Sequence, residues 1–489
     1  MFFIIVLGIL LRLSFINKPE GLWNDEYVSW FVSNTPFGEG FWSEVLKQCH
    51  MPLYYLYLKP FSGFSDLVLR LTSFVPGVIS IYIMYLAGKE FSKKVGIVAA
   101  LLTSTLSFLI YYSQEVRFYS LLFLFSALSM LFTIKFLKNS SKTNLAGYII
   151  SNILILFTHV LGIIYVIFNI IYVVLQKKKF SKSVLWGILV CTLVTGFFGL
   201  NIIKMLPASQ WWGHFGYTNI LFLISDYFSP ILTNNVNAPP VFFYNKNLNL
   251  FLLIPSIIAI FVMFYGITTQ KNYKYTKGLL SVALLFIASL AVLAGMGKLV
   301  FITKYTIEAL PILILLLAIG FETLKTAGTV LLALFTLFHL GTFFTPYYVT
   351  KMPRGEGHRI VGEILNNQNS QNVVFTYYAP DRFYRYANLE GKNLYSVDKL
   401  NHPDYVDKPE KILENIKIGE TVSVVFLNSV SFFDEDFVKN NINNKNIPEM
   451  FLIFSHIKNC LVDELAVNYS DYDVSKYGDW TVIKARKVK

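Results

Sequence analysis

The sequence predicts a membrane protein built mainly of α-helices, with one small α/β domain outside the bilayer. Three observations carry that prediction. The 489 residues are 54% hydrophobic and 15% charged, with a mean hydropathy of +0.51, a balance that suits a polytopic chain better than several soluble domains. Apolar runs of near-spanning length recur up to Thr345, separated by short loops that hold clusters of lysine. Beyond Thr345 charge and asparagine rise, and no run reaches spanning length.

The runs read as spans are 2–16, 67–88, 95–111, 118–137, 144–158, 161–175, 184–206, 247–266, 278–294, 305–322 and 327–345, about 11 transmembrane helices in all. The first run is short, and its Arg12 is expected to snorkel to the outer interface. A cleaved signal peptide is disfavoured there, because no small-x-small site follows and many further spans do. The stretch 147–175 is too long for one ordinary span, so it divides at 159–162 into a tight hairpin with two short arms. His159 at that tip and His339 in the last span read as structural.

Lysines gather in four loops: Lys89, Lys93 and Lys94; Lys135, Lys138 and Lys142; Lys177, Lys178, Lys179 and Lys182; and Lys271, Lys274 and Lys277. The positive-inside rule makes these loops cytoplasmic, together with the N-terminus. Asp25 and Glu26, the 114–117 segment, the 207–246 loop and the C-terminal residues then share the extracytoplasmic side. A net charge of +12 would also suit nucleic acid, but lysines divided among apolar spans do not form one basic face. Cys49, Cys191 and Cys460 have no zinc-type spacing and cannot make a disulfide framework; Cys49 and Cys460 are the pair available on the outer side.

Residues 1–349 thus read as a transmembrane domain and 350–489 as a soluble extracytoplasmic one. In the latter, β-rich runs at 372–378, 422–427, 451–456 and 480–485 alternate with helix-like segments at 359–366 and 409–416, the pattern of a small α/β sandwich. No nucleotide-binding glycine loop is visible. Asn468-Tyr469-Ser470 fits an N-glycosylation sequon, a three-residue match common by chance.

Three segments on the outer side carry chemistry. Asp25 and Glu26 follow the first span directly; adjacent acids there serve as general base and orienting group, hold a divalent cation, or simply stabilise a helix start. His50-Met51-Pro52-Leu53-Tyr54-Tyr55 places an imidazole before a helix-starting proline, with the tyrosines at interfacial depth as contacts or as an aromatic belt. Tyr112-Ser113-Gln114-Glu115-Val116-Arg117-Phe118-Tyr119 lies between two spans with scarcely any loop. Arg117 there can grip a phosphate through its planar fork, or pair with Glu115 as a staple between helices. Trp211, Trp212 and His214 open the longest later loop, where aromatic faces suit a sugar, a prenyl chain or the membrane interface.

These segments, in this order, resemble the bacterial and archaeal relatives of the protein O-mannosyltransferases, polytopic GT-C glycosyltransferases of the mannosyltransferase-like and aminoarabinose-transferase-like type. The likeness lies in the Asp25-Glu26 pair, the His50 to Tyr55 segment and the Ser113 to Tyr119 segment, with a weaker match at Lys304-Tyr305 followed by Ala309-Leu310-Pro311. It spans about residues 1–345. The resemblance implies a GT-C fold and inverting transfer of a sugar from a polyprenyl or dolichyl phosphate to an extracytoplasmic glycan, lipid or protein. It implies Asp25 as general base or acceptor-positioning group, Glu26 as its support, and Arg117, Lys304 and Tyr305 at the donor phosphate. His50, Tyr54, Tyr55, Gln114, Glu115, Trp211 and Trp212 become donor or acceptor contacts. His50 and His214 become possible ligands of a divalent cation, although two isolated histidines do not make a metal site. Lysine at 304 stands where relatives commonly carry arginine, which turns a bidentate grip into a point charge. A transporter would show internal repeats or broken midplane helices. A flippase for lipid-linked sugars would need a route between leaflets, whereas these candidates gather on one side. A non-catalytic envelope-assembly scaffold is the remaining alternative.

Overall fold

A chain segment in hydrocarbon must satisfy its own N–H and C=O groups, so the apolar runs fold as helices. The computed structural model describes residues 1–48, 50–176, 217–229, 246–269, 275–298, 301–345, 357–376, 383–397, 409–427, 449–477 and 480–489, with Thr192, Leu193, Gly196 and Asp436. They fall into two compact units. One holds Met1–Asn17 and the described parts of Val28–Ser209 and His214–Met352; the other holds Lys18–Tyr27 and the described parts of Pro353–Lys489.

The helices run in chain order as α1 (Phe2–Leu13), α2 (Asn24–Asn34), α3 (Glu39–Lys47), α4 (Leu53–Leu58), α5 (Asp66–Lys89), α6 (Lys93–Thr105), α7 (Ser107–Tyr112), α8 (Tyr119–Lys138), α9 (Lys142–Thr158), α10 (Gly162–Gln176), α11 (Tyr217–Phe228), α12 (Lys246–Thr269), α13 (Thr276–Gly295), α14 (Leu310–Thr323) and α15 (Lys325–Gly341). A 3₁₀ segment, Thr303–Ala309, leads into α14. Among the described residues five helical stretches are long and apolar enough to cross a bilayer: α5, α8, α13, Thr303–Thr323 and Lys325–Phe344. The hairpin expected at 159–162 is present, with α9 ending at Thr158 and α10 starting at Gly162. The span expected at 184–206 lies outside the described residues, apart from three isolated positions.

The run 95–111 is not one helix. It breaks at Leu106, whose backbone is extended, and the reason is Arg12. That side chain does not snorkel; it is fully buried. Its guanidinium donates to the carbonyls of Thr103 (2.7 Å) and Ser104 (3.0 Å) and to Ser113 Oγ (3.1 Å). Carbonyls at a helix C-terminus lack intrahelical partners, and a cation at that end also meets the favourable pole of the helix dipole. Arg12 therefore ends α6 inside the protein. Arg12→Met should lower stability by about 3 kcal/mol, since bonds from a charged donor contribute roughly 1.5–3 kcal/mol each. Thermal unfolding of the detergent-purified protein checks this; an unchanged midpoint would contradict it.

Helix α14 is buried along nearly all its length, from Leu310 to Phe321. It meets α12 through small residues: a Cβ added to Gly320 would lie 2.1 Å from the Val262 carbonyl oxygen, so only glycine permits this approach. Helices α8, α9 and α10 are tied by a buried amide network in which Asn169 Nδ2 donates to Ser129 Oγ (2.9 Å) and Ser129 Oγ donates to Asn152 Oδ1 (3.1 Å). Ile257, Phe261 and Phe264 on α12 and Leu334 and Leu337 on α15 are exposed, as suits side chains that face lipid.

The second unit adds α16 (His358–Gln368), β1 (Asn372–Phe375), β2 (Asn393–Ser396), α17 (Glu410–Glu414), β3 (Thr421–Leu427), α18 (Glu449–Asn468), β4 (Tyr469–Tyr477) and β5 (Trp480–Lys487). The strand order is β2-β1-β3-β5-β4. β1 runs parallel to β2 and β3, and β5 runs antiparallel to β3 and β4. Period-two alternation divides the core. Val374, Val422, Val424 and Phe426 face α17 and α18; Val373, Phe375, Val425 and Val482 face α16. The expected strand at 451–456 is helix instead, inside α18. A continuous apolar run does not distinguish a strand from a buried helix, and here Ile457, Leu461 and Leu465, spaced four apart, bury one helical face. Strands β2 and β4 escaped sequence reading because neither is an apolar run: β2 is Asn-Leu-Tyr-Ser and β4 carries two aspartates and a lysine.

Candidate active site

The adjacent acids lie at the start of α2, and the fold treats them differently. Tyr27 N–H donates to the Trp23 carbonyl (2.8 Å), the first bond of the helix, so Trp23 is the N-cap and Glu26 the third helical residue. Glu26 Oε2 accepts in return from Trp23 N–H at 3.3 Å. This is the backward half of a capping box, and the Glu26 side chain is buried completely. Asp25, one residue earlier, remains half-buried. Acids in a first helical turn also complement the helix dipole, so the helix-start reading of the pair is the one this local geometry bears on.

In the first unit, the turn before α8 presents Phe118 as the floor of a polar cluster. Its ring meets His50 (5.3 Å), Tyr54 (6.3 Å), Tyr119 (4.4 Å) and His159, which stacks on it at 5.0 Å. The Arg117 guanidinium lies 5.4 Å from the same ring. Arg117 donates from one arm to Ser29 Oγ (3.3 Å) and from the other to His50 Nε2 (3.4 Å). Since Nε2 accepts, His50 carries its proton on Nδ1 and donates it to the Tyr55 hydroxyl, 2.6 Å away. Tyr54 and Tyr55 are buried at 1% exposure, inside the unit rather than in an interfacial belt. Pro52 is the N-cap of α4, one residue ahead of the first helical position expected for it.

Lys304, on the 3₁₀ segment, lies 5.7 Å from the Tyr119 ring and 5.8 Å from Tyr305. Arg117 lies 6.0 Å from the same Tyr119 ring, so two cations from distant parts of the sequence approach one aromatic. Beside them His159 Nδ1 bonds Glu308 Oε1 at 2.9 Å, both side chains buried, and Tyr305 lies 5.7 Å from the His159 ring. The 3₁₀ segment is held in turn by α11: Tyr227 donates to the Thr306 carbonyl (2.7 Å) and Asp226 accepts from Thr303 Oγ1 (2.9 Å).

Of the residues singled out in the sequence, the first unit brings His50, Tyr54, Tyr55, Arg117, Lys304 and Tyr305 together. Gln114 does other work: its amide donates to the carbonyls of Arg12 (2.7 Å) and Ser14 (2.8 Å), tying down the end of α1. Glu115 is buried. Trp211, Trp212, His214 and Cys49 lie outside the described residues, and with Cys49 its pairing to Cys460. Sequence reading missed Phe118, Glu308 and the link from Glu308 to His159. The available signal was an acid within the apolar run 305–322, since carboxylates in spans are rare and costly. His339 is structural as expected, set between Ser107 Oγ (3.4 Å) and the Phe228 carbonyl (3.1 Å).

The cluster suits an anion or a polyhydroxylated ligand. A guanidinium and an ammonium supply charge and donors, and the aromatic floor accepts the apolar face of a sugar ring. As arranged here His50 does not fit a cation, because both ring nitrogens face protein partners. Among the described residues no three of histidine, cysteine, aspartate or glutamate gather as ligands.

Residues 53–198 match the family model described as dolichyl-phosphate-mannose-protein mannosyltransferase. The structure of ArnT from Cupriavidus metallidurans bound to undecaprenyl phosphate is similar with a TM-score of 0.55 and 11% identity, covering 99% of this chain and 97% of that one. Its apo form gives 0.54 at 11% identity, with the same 99% and 97% coverage. The oligosaccharyltransferase AglB from Archaeoglobus fulgidus, in complex with an inhibitory peptide and a dolichol-phosphate, reaches 0.47 at 11% identity over 98% of this chain and 73% of that one. No protein of curated function matches.

Proposed function

We propose that this multi-pass membrane chain, whose residues 53–198 match the mannosyltransferase model and whose fold is similar to that of ArnT, carries out inverting transfer of a sugar from a polyprenyl or dolichyl phosphate to an extracytoplasmic acceptor. The observation that carries the reading is the pair of cations, Arg117 and Lys304, both within about 6 Å of the Tyr119 ring, with Arg117 also 5.4 Å from the Phe118 ring. A lipid-phosphate donor needs that combination: charge for the phosphate and aromatic surface for the sugar or the first prenyl units. ArnT, whose fold is similar, is described with undecaprenyl phosphate bound, which supports the donor class.

The acceptor hydroxyl oxygen attacks the anomeric carbon as the carbon–oxygen bond to phosphate breaks. Its electron pair leaves on the phosphate oxygen, where Arg117 and Lys304 stabilise the new charge. Asp25 takes the hydroxyl proton or positions that group, and Glu26 holds the helix start on which Asp25 sits. His50 keeps Arg117 oriented. Asp25 and the soluble domain are assigned to the extracytoplasmic side by the lysine pattern, and that domain contributes to acceptor recognition.

Incubating the purified protein with a panel of polyprenyl-phosphate sugars tests the reading. Release of free polyprenyl phosphate with at least one donor, dependent on acceptor, is expected. A scaffold releases none with any donor and acceptor offered. A chelator arm reads whether a divalent cation accompanies the phosphate.

A further inference from the structure

The second unit is not assembled from the C-terminal residues alone: the segment Lys18–Tyr27 is part of it. Three main-chain groups just ahead of Asp25 are held by that unit. Leu22 N–H donates to the Tyr386 hydroxyl (2.8 Å), and the Leu22 carbonyl accepts from His358 Nδ1 (2.9 Å). The Glu20 carbonyl accepts from Arg359 N–H (3.1 Å), one of the first-turn amides of α16 that have no partner within their own helix. Between them Gly21 adopts φ +83°, and a Cβ there would lie 2.8 Å from Arg359 Cβ and 3.0 Å from the Tyr386 ring. The conformation favours glycine, and the space admits nothing larger.

The holding groups are themselves fixed. His358 is fully buried among Phe383 (5.3 Å), Trp480 (5.9 Å) and Tyr27 (6.1 Å). The backbone of Tyr386 lies against Gly362 of α16, where an added Cβ would meet Tyr386 Cβ at 2.7 Å. One partner of Leu22, His358, is therefore set in the packed interior of the α/β fold and the other, half-buried Tyr386, is backed by α16, and Leu22 immediately precedes the N-cap Trp23. A helix start at the end of an untethered loop samples many directions, whereas one clasped on both sides of the preceding residue has few.

We propose that the C-terminal α/β unit positions the Asp25 carboxylate, with Tyr386 and His358 as the positioning residues that grip the main chain at Leu22. This rests on the reading of Asp25 as the base or acceptor-positioning group, and gives the soluble domain a task separate from acceptor recognition. Misplacing a reacting group by about 1 Å costs roughly 100-fold in rate, so the grip acts on kcat and leaves donor affinity alone.

The test combines turnover with amide hydrogen exchange on the full-length protein in detergent. Tyr386→Phe removes one hydrogen bond and keeps the ring; kcat should fall about 5-fold, the worth of one ordinary hydrogen bond, with donor KM unchanged. Exchange across 20–26 should quicken roughly 10-fold as the segment opens locally. His358→Asn keeps a donor near the Nδ1 position and should retain most activity, whereas His358→Leu should not. Tyr384→Phe, at an exposed neighbour, is the control and should move neither readout. Unchanged exchange, or an unchanged kcat with quickened exchange, in Tyr386→Phe would overturn the proposal, as would equal losses in His358→Asn and His358→Leu. If wild-type protein transfers no sugar at all, the function reading fails while the exchange experiment still reports the grip, so the two failures are distinct.

Discussion

Asp25→Asn is expected to lower turnover by about 10²–10⁴-fold, the range a positioned general base contributes, with little effect on donor binding or stability. Its neighbour should behave otherwise. In Glu26→Gln the amide oxygen still accepts from Trp23 N–H, so the capping box survives and turnover should stay within about 3-fold of wild type. Glu26→Ala removes the bond seen from Trp23 and should cost about 1 kcal/mol of local stability, as lost caps do. Initial rates with a polyprenyl-phosphate sugar, beside thermal unfolding, separate the three variants. Wild-type turnover by Asp25→Asn would remove the base assignment. Equal losses in Asp25→Asn and Glu26→Gln would remove the division of labour.

Arg117→Lys should lose about 10²-fold in kcat/KM, and Arg117→Met about 10³-fold, on the scale set by removing a donor that stabilises developing charge. The lysine is not a conservative replacement, because the wild-type fork reaches Ser29 and His50 with separate arms and an ammonium cannot reproduce that planar geometry. Lys304→Met should cost less, about 10-fold, since a half-buried point charge is partly replaced by solvent. Competition by free polyprenyl phosphate gives the binding part of each loss. If Arg117→Met binds and turns over donor as wild type does, the phosphate site lies elsewhere.

Much of the helical architecture was legible from hydropathy. The runs at 67–88, 118–137, 278–294 and 327–345 agree with α5, α8, α13 and α15 within a few residues, because a bilayer demands length and apolarity and little else. The break at Leu106 was not legible: it depends on Arg12, about 90 residues earlier in the chain, and no local pattern reports a distant guanidinium. The strand expected at 451–456 failed for the complementary reason, since burial on one helical face arises from the sheet it packs against.

For the candidate site, Asp25, Glu26, His50 and Arg117 drew attention as acids, imidazole and cation beside apolar spans, which are costly enough to stand out, and the family resemblance added Lys304. What each does was decided by tertiary structure. Adjacency made Asp25 and Glu26 equivalent until the start of α2 turned one carboxylate back onto Trp23 and left the other half-buried. Phe118 became the floor of a cluster only when α4, α8 and the hairpin tip converged on it. Glu308 found its partner in His159, far away in sequence. Residue types, their order and the apolar spans are properties of the chain and can be read along it. Partnership and burial depend on which distant segments the fold brings within a few ångströms, and these are set by packing.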